Sequence, residues 1–76
     1  MIYRQTIRCE FYSKPVVIEI HDDGAKVRAM MWNRGERDRP DSCEMIERIL
    51  MGHERESALA AYRAHDLETF GALVAP

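Results

Sequence analysis

Apolar and polar residues alternate through most of residues 2–33, with the two-residue period of strands that bury one face. Two turn signals divide this stretch: residues 12–15, which read YSKP, and the pair Asp23-Gly24. The pattern therefore predicts three strands, near residues 2–12, 15–21 and 26–33, that form an antiparallel meander with the second strand in the middle.

The pair Asp23-Gly24 also predicts the register of the second hairpin, because a type I′ turn needs two residues that tolerate positive φ. A two-residue loop at this pair sets Ile20 against Val27, Ile18 against Ala29 and Val16 against Met31. The same test at the first turn sets Phe11 against Val16, Cys9 against Ile18 and Ile7 against Ile20. All of these side chains then lie on one face, together with Tyr3 and a single polar residue, Gln5.

The opposite face of the predicted sheet is rich in arginine and carries the only tryptophan. The predicted registers place Arg8, Glu19 and Arg28 in one row, with the carboxylate between two guanidinium groups. Trp32 stands beside this row, and Trp, Met and Arg are the residue types enriched at the centres of interfaces. We therefore expect an open binding face, the alternative being that the 33–40 loop or a neighbouring chain covers Trp32.

The second half of the chain has helical spacing after a charged loop at residues 33–40. Asp41 and Glu44 have the spacing of a capping box, which predicts a helix over residues 42–51 with Gly52 as its left-handed stop. A second helical stretch begins near Glu54, and Asp66 is placed to cap a fresh turn, so one long helix and two short ones both fit. The predicted fold class is α+β, a single domain over residues 1–76, with a meander of three strands, or of four if Arg37 forms a short strand, and two or three helices on one face.

Composition and charge narrow the class of protein. A chain of 76 residues with 46% hydrophobic and 32% charged residues has the values of one small globular domain. The net charge is −2, yet basic residues outnumber acidic ones in residues 1–40 and the reverse holds in residues 41–76. No apolar run is long enough to span a membrane, and residues 1–4 do not begin a signal peptide, so we expect a cytoplasmic protein.

The spacing of the reactive side chains does not predict catalysis. His53-Glu54 begins like a zinc-protease helix, but Ser57 stands where the second histidine of that motif would be. The run from His21 to Asp23 lies at a hairpin tip, where aspartate is favoured by turn geometry. Cys9 and Cys43 are expected to be reduced and packed thiols. We therefore predict a protein that is not an enzyme and has no metal and no cofactor.

A resemblance to a known family is carried by residues 18–29, which read IEIHDDGAKVRA, and, after the charged loop, by Asp41-Ser42 opening a short helix that ends at Gly52. They resemble small phage-encoded anti-CRISPR proteins that inhibit type I systems and are built as an antiparallel sheet followed by two helices. The resemblance covers about half of the chain. It implies a non-enzymatic inhibitor that docks on subunits of a CRISPR RNA-guided surveillance complex and keeps target DNA from pairing.

These observations predict a protein-binding inhibitor of phage or mobile-element type that acts by occlusion. The candidate contacts on the sheet side are Arg4, Arg8, Arg28, Trp32, Arg34 and Arg37, and those on the helix side are Glu44, Glu47, Glu54 and Glu56. One alternative is a nucleic-acid-binding domain that uses the Arg and Trp face. The other is a homodimer that pairs through an open edge strand.

Overall fold

The computed structural model describes residues 1–8, 15–33 and 45–75. These residues form a four-stranded antiparallel sheet of strand order β1-β2-β3-β4, followed by two helices. The strands are β1 (Ile2–Ile7), β2 (Val16–Asp22), β3 (Lys26–Asn33) and β4 (Met45–Met51), and the helices are α1 (Gly52–Arg63) and α2 (Leu67–Val74). The predicted α+β class is confirmed, with four strands and two helices.

The core lies between the helices and one face of the sheet. Ile18, Ile20 and Val27 point from the sheet into it, and Phe70 meets them from α2. Smaller side chains on α1, Ala58 among them, let that helix approach the strands closely. The strands therefore bury the face that their alternating pattern predicts, and Ile18 and Arg28 lie on opposite faces of the sheet.

The predicted register between β2 and β3 is wrong by two residues. Ile18 pairs with Met31 and Ile20 pairs with Ala29. The turn centres on Gly24 and Ala25 instead of Asp23 and Gly24, because the Asp23 carboxylate accepts hydrogen bonds from the backbone N–H groups of Ala25 at 2.9 Å and Lys26 at 2.8 Å. Gly24 alone of these has positive φ, at 93°. A shift of two residues preserves the faces, since side chains alternate with a period of two.

The predicted register between β1 and β2 is wrong by four residues, which also preserves the faces. Ile7 pairs with Val16 and Gln5 pairs with Ile18. In the predicted register residues 2–5 would lie against residues 22–25, which form the hairpin turn. The observed register instead pairs all of β1 with β2, and the Gln5 amide donates to the Tyr62 carbonyl of α1 at 2.8 Å. The predicted partners Cys9 and Phe11 lie outside the described residues.

The predicted helix over residues 42–51 is also wrong, because residues 45–51 are strand β4. The run MIERILM contains both a helical stripe and an alternating pattern, and such short apolar runs are ambiguous. β4 pairs along β3 from Lys26 opposite Met51 to Trp32 opposite Met45, so each of its seven residues has a partner on β3. The proposed capping box at Asp41 and Glu44 and the short strand at Arg37 lie outside the described residues.

The end of β4 leads directly into α1. Gly52 has a positive φ of 59°, as its predicted left-handed role requires, but it opens α1 instead of ending a helix. The second helical stretch is divided in two, and Asp66 begins α2 by accepting the Thr69 N–H at 3.1 Å, which confirms the predicted cap. In the described part of the chain, neither helix has the length and apolar character needed to cross a membrane.

Candidate partner interface

The sheet face opposite α1 and α2, called here the distal face, carries three of the predicted sheet-side contacts, Arg4, Arg28 and Trp32. Cross-strand partners share a face, so the registers define its rows. Three full rows cross all four strands: Ile2, His21, Arg28, Ile49; then Arg4, Glu19, Met30, Glu47; and then Thr6, Val17, Trp32, Met45. The distal face therefore has a polar and charged middle with apolar side chains at both ends of the row nearest the β2–β3 turn.

Trp32 lies on the distal face but is buried, with 2% of its surface exposed. It packs with Val17 and Met30 in a second apolar cluster, and Met45 lies against them. The Arg4 guanidinium carbon lies 5.4 Å from the centroid of the Trp32 ring, within the range of a cation–π contact. The expectation of an exposed indole is wrong, and the burial supports the alternative in which Trp32 is covered.

Glu19 organises the charged middle of the distal face, with a side chain that is only 10% exposed. Its carboxylate accepts from Arg4 Nε at 2.6 Å and lies 2.7 Å from His21 Nε2. Burial raises the pKa of Glu19, but the hydrogen bonds from His21 and Arg4 and the positive charge of Arg4 outweigh it, so the pKa lies below its usual value. Glu19 is therefore held as a carboxylate by its neighbours.

The predicted row of Arg8, Glu19 and Arg28 is wrong, because both registers are shifted. Arg4 takes the place beside Glu19 that Arg8 was expected to have, and Arg8 lies just beyond the end of β1, exposed. Arg28 pairs instead with Glu47 on β4, with Nη2 at 2.7 Å from the carboxylate.

The predicted helix-side contacts divide between two places. Glu47 lies on the distal face, while Glu54 and Glu56 are exposed on α1. Each of the two helix glutamates has a basic partner: Arg48 lies 3.1 Å from Glu54, and Arg55 lies 2.8 Å from Glu56. The candidates Arg34, Arg37 and Glu44 lie outside the described residues, as does Cys43.

The end of the distal face nearest the β2–β3 turn exposes large apolar side chains that the sequence pattern did not predict as contacts. Ile2 is 67% exposed, Ile49 is 58% exposed and Met51 is 65% exposed. Between and beside them stand His21, Arg28 and Lys26, the last directly opposite Met51. These six residues are called here the tip patch. Reading residues 45–51 as an alternating strand would have found the β4 members, because it places Ile49 and Met51 on the face away from Leu50.

A groove of about 300 Å³ opens in the tip patch. Its walls include apolar atoms of Ile2 and Ile49 and the basic side chains of His21, Lys26 and Arg28. Asp22 and Asp23 of the β2–β3 turn also line the groove, and their carboxylates accept hydrogen bonds from Arg55 and from N–H groups of the turn. This combination suits a ligand group that is negatively charged and has apolar neighbours, since both kinds of contact converge there.

The turn behind the groove is held by the carboxylates of Asp22 and Asp23. The Asp22 carboxylate accepts from the Gly24 N–H and from Arg55 of α1, at 3.0 Å to each oxygen from Nη2. The Gly24 hydrogen bond, followed by Arg55, lowers the pKa of Asp22. Asp23 is occupied by the turn, and no group of three metal-ligating side chains occurs among residues 1–8, 15–33 and 45–75. The two carboxylates thus fix the turn that carries Lys26.

Taken together, the tip patch offers contact area and basic donors on a sheet that the core holds rigid. Its members come from all four strands, so the fold places them together although they are far apart in the sequence. No protein-family model, curated protein or solved structure was found to match this chain.

Proposed function

We propose that the protein is a non-enzymatic binding protein that inhibits a larger assembly by occlusion, and that the tip patch is its contact surface. The observation that carries this proposal is the exposure of Ile2, Ile49 and Met51 together at one end of the distal face. Large apolar side chains that are exposed on both sides of charged ones, at one end of a sheet face, indicate a protein interaction site.

The size of the chain supports a role as an interface. A standard interface takes about 800 Å² from each partner. This is roughly one sixth of the 5169 Å² surface of the protein. Binding through the tip patch would therefore leave the rest of the domain projecting from the partner, where it blocks access by bulk alone. Occlusion needs no chemistry beyond a stable contact.

The geometry favours a protein partner over nucleic acid. Trp32 is buried and cannot stack on a base, although base stacking is a main source of single-strand affinity. Arg4, which the nucleic-acid alternative needs as a phosphate contact, already pairs with Glu19. The net charge of −2 also opposes a general affinity for phosphate.

The target that we propose is a CRISPR RNA-guided surveillance complex in the host cytoplasm. The protein binds this complex and blocks its access to target DNA. This choice depends on the resemblance of residues 18–29 to type I anti-CRISPR proteins. A sheet followed by two helices is the layout that this resemblance implies, and the order of strands and helices supports the proposal, whereas the segment that ends at Gly52 is strand β4 where the resemblance has a short helix.

Co-expression with a type I surveillance complex tests the proposal. We expect the complex to retain the protein on purification and to lose binding of its target duplex. The double substitution of Ile49→Thr and Met51→Thr should weaken retention about tenfold or more, because interface apolar residues carry much of the binding energy. Threonine keeps the strand propensity of Ile49, so the fold is preserved.

The matched control is Ala60→Thr, which adds the same polar side chain at an exposed position of α1, on the other layer of the molecule. It should bind like the wild type. The proposal fails if the complex retains no protein and binds target DNA without hindrance at saturating concentrations. It also fails if the control and the double variant lose the same affinity.

A further inference from the structure

We infer that the groove of the tip patch recognises an extended protein segment in which an acidic residue stands between two apolar ones, each two positions away. This inference deepens the proposed function, on which it depends, by naming the chemistry of the partner. The charges in the groove and the spacing of the row Ile2, His21, Arg28 and Ile49 both indicate such a segment.

The basic groups of the groove have donors to offer. Lys26 is exposed, and none of the ion pairs within the described residues includes it. Both bonds from Arg28 go to the same oxygen of Glu47, from Nε at 2.8 Å and from Nη2 at 2.7 Å. Because a guanidinium has five N–H donors, Arg28 keeps others for a second carboxylate. An acidic group is therefore the complement of the groove.

The spacing of the row sets the spacing in the ligand. Ile2, His21, Arg28 and Ile49 lie on four successive strands, so the two isoleucines are about 14 Å apart across three strand separations. In an extended segment, side chains at positions i, i+2 and i+4 share a face, and the outer two are about 13 Å apart. A segment laid across the strands thus meets Ile2 and Ile49 with its apolar residues and Arg28 with its acidic one.

Other occupants fit less well. A second copy placed face to face on the centre of the row would bring the Lys26 and Arg28 charges of both copies together, and like charges across an interface are unfavourable. Duplex DNA would meet the exposed isoleucines without a partner for them. The acidic and apolar segment satisfies both parts of the groove at once.

The test uses a blocked nonapeptide with the central sequence leucine-serine-glutamate-serine-leucine, flanked by glycine and serine. It is titrated into the ¹⁵N-labelled full chain and followed by NMR. We expect shift changes at the amides of β2, β3 and β4 near the turn. Peptides with lysine in place of glutamate, or serine in place of both leucines, should bind at least fivefold more weakly.

Charge reversal gives the matched pair of protein variants. Lys26→Glu should weaken the glutamate peptide about five- to tenfold and remove most of the salt dependence of binding. Arg63→Glu makes the same change at an exposed position on α1, away from the distal face, and should alter binding less than twofold. Thermal melts of both variants check that they are folded.

The inference is overturned if the lysine peptide binds as well as the glutamate peptide, or if the shift changes map to the helices. It is also overturned if a DNA duplex binds the groove more tightly than the peptide, or if sedimentation shows a dimer that Lys26→Glu strengthens. If the peptide binds but the surveillance complex does not retain the protein, the proposed target is wrong and the assignment of the groove stands. If the complex retains the wild type and Lys26→Glu equally and the peptide does not bind, the assignment of the groove is wrong and the proposed target stands.

Discussion

Glu19 shows how one buried carboxylate can hold the polar part of a sheet surface. Val17 precedes it on the same face of β2 and lies in the apolar cluster of Trp32, while His21 follows it toward the tip patch. Glu19 therefore stands where the distal face changes from packed to open. Its contacts with Arg4 and His21 satisfy a charge that burial would otherwise penalise.

The lowered pKa of Glu19 makes a prediction for stability against pH. A carboxyl group whose pKa is lower in the folded state stabilises the protein above its unfolded pKa of about 4.5, and this contribution is lost as pH falls through the folded value. We expect Glu19→Gln to be less stable than the wild type by about 1–2 kcal/mol at pH 7. The difference should shrink between pH 5 and pH 3.

Urea unfolding at several pH values measures this difference. Asp22, Asp23 and Asp66 also have lowered pKa values, so both proteins lose stability in acid, and only the gap between the two curves reports on Glu19. Curves that stay parallel from pH 7 to pH 3 would show that the carboxylate contributes nothing through its charge.

The junction of β4 and α1 governs the second half of the fold at the scale of elements. Met51 is extended, with φ of −134°, and the next residue, Gly52, turns the chain with φ of 59° to begin the helix. The helix start has no side-chain cap, so the backbone conformation of Gly52 is what directs α1 back over the sheet. A positive φ is the conformation for which glycine is favoured.

Two glycine substitutions test this role, because they differ in backbone conformation. Gly52→Ala should cost about 1–2 kcal/mol, since a Cβ is strained at positive φ even though open space surrounds it. Gly71→Ala is the control within α2: its φ is ordinary and its Cβ would lie 3.7 Å from the Met31 side chain, a normal contact. It should stabilise by about 0.5–1 kcal/mol through helix propensity. Equal effects of the two in urea unfolding would contradict the prediction.

The strands also show which parts of the fold the sequence pattern can predict. Alternation predicted β1, β2 and β3 and their buried face, because Ile18, Ile20 and Val27 leave no other side for the core. It did not decide between helix and strand for residues 45–51, since only pairing with β3 distinguishes them. Both predicted registers are wrong by even numbers of residues because local apolar matching repeats every two positions. For β2 and β3, the Asp23 carboxylate, which accepts from the N–H groups of Ala25 and Lys26, favours the observed register.

The whole molecule depends on a core that α2 completes. Phe70 is fully buried and joins β-sheet residues such as Ile18 and Leu50 in one cluster. A domain of 76 residues has a net stability of roughly 4–11 kcal/mol. The contribution of a single core side chain is therefore a large share of the free energy of unfolding.

Removing the Phe70 ring should cost about 3–5 kcal/mol, because truncation loses transfer free energy and leaves a cavity. We expect Phe70→Ala to be partly or wholly unfolded at 37 °C by circular dichroism, and Phe70→Leu, which keeps most of the apolar volume, to remain folded. A Phe70→Ala protein within 1 kcal/mol of the wild type would mean that α2 is not packed on the sheet as described.

The candidate site was less predictable than the fold, because it is a property of the assembled sheet. Arg28 was predicted as a contact residue and lies in the tip patch, but the exposed positions of Ile2, Ile49 and Met51 depend on registers that the sequence does not determine. On α1, the carboxylates of Glu54 and Glu56 are paired with Arg48 and Arg55, so their negative charge is locally neutralised.

The direct passage from β4 into α1 limits how this chain can vary in length. One residue inserted after Met51 would rotate every later helical position by about 100° and carry Ala58 and Leu59 away from the strands. The exposed turn at residues 23–25 has no helix to misalign, so extra residues there would leave both helices in place, although they would alter the groove that this turn lines. Insertions should therefore leave the domain folded at that turn and disrupt it at Gly52.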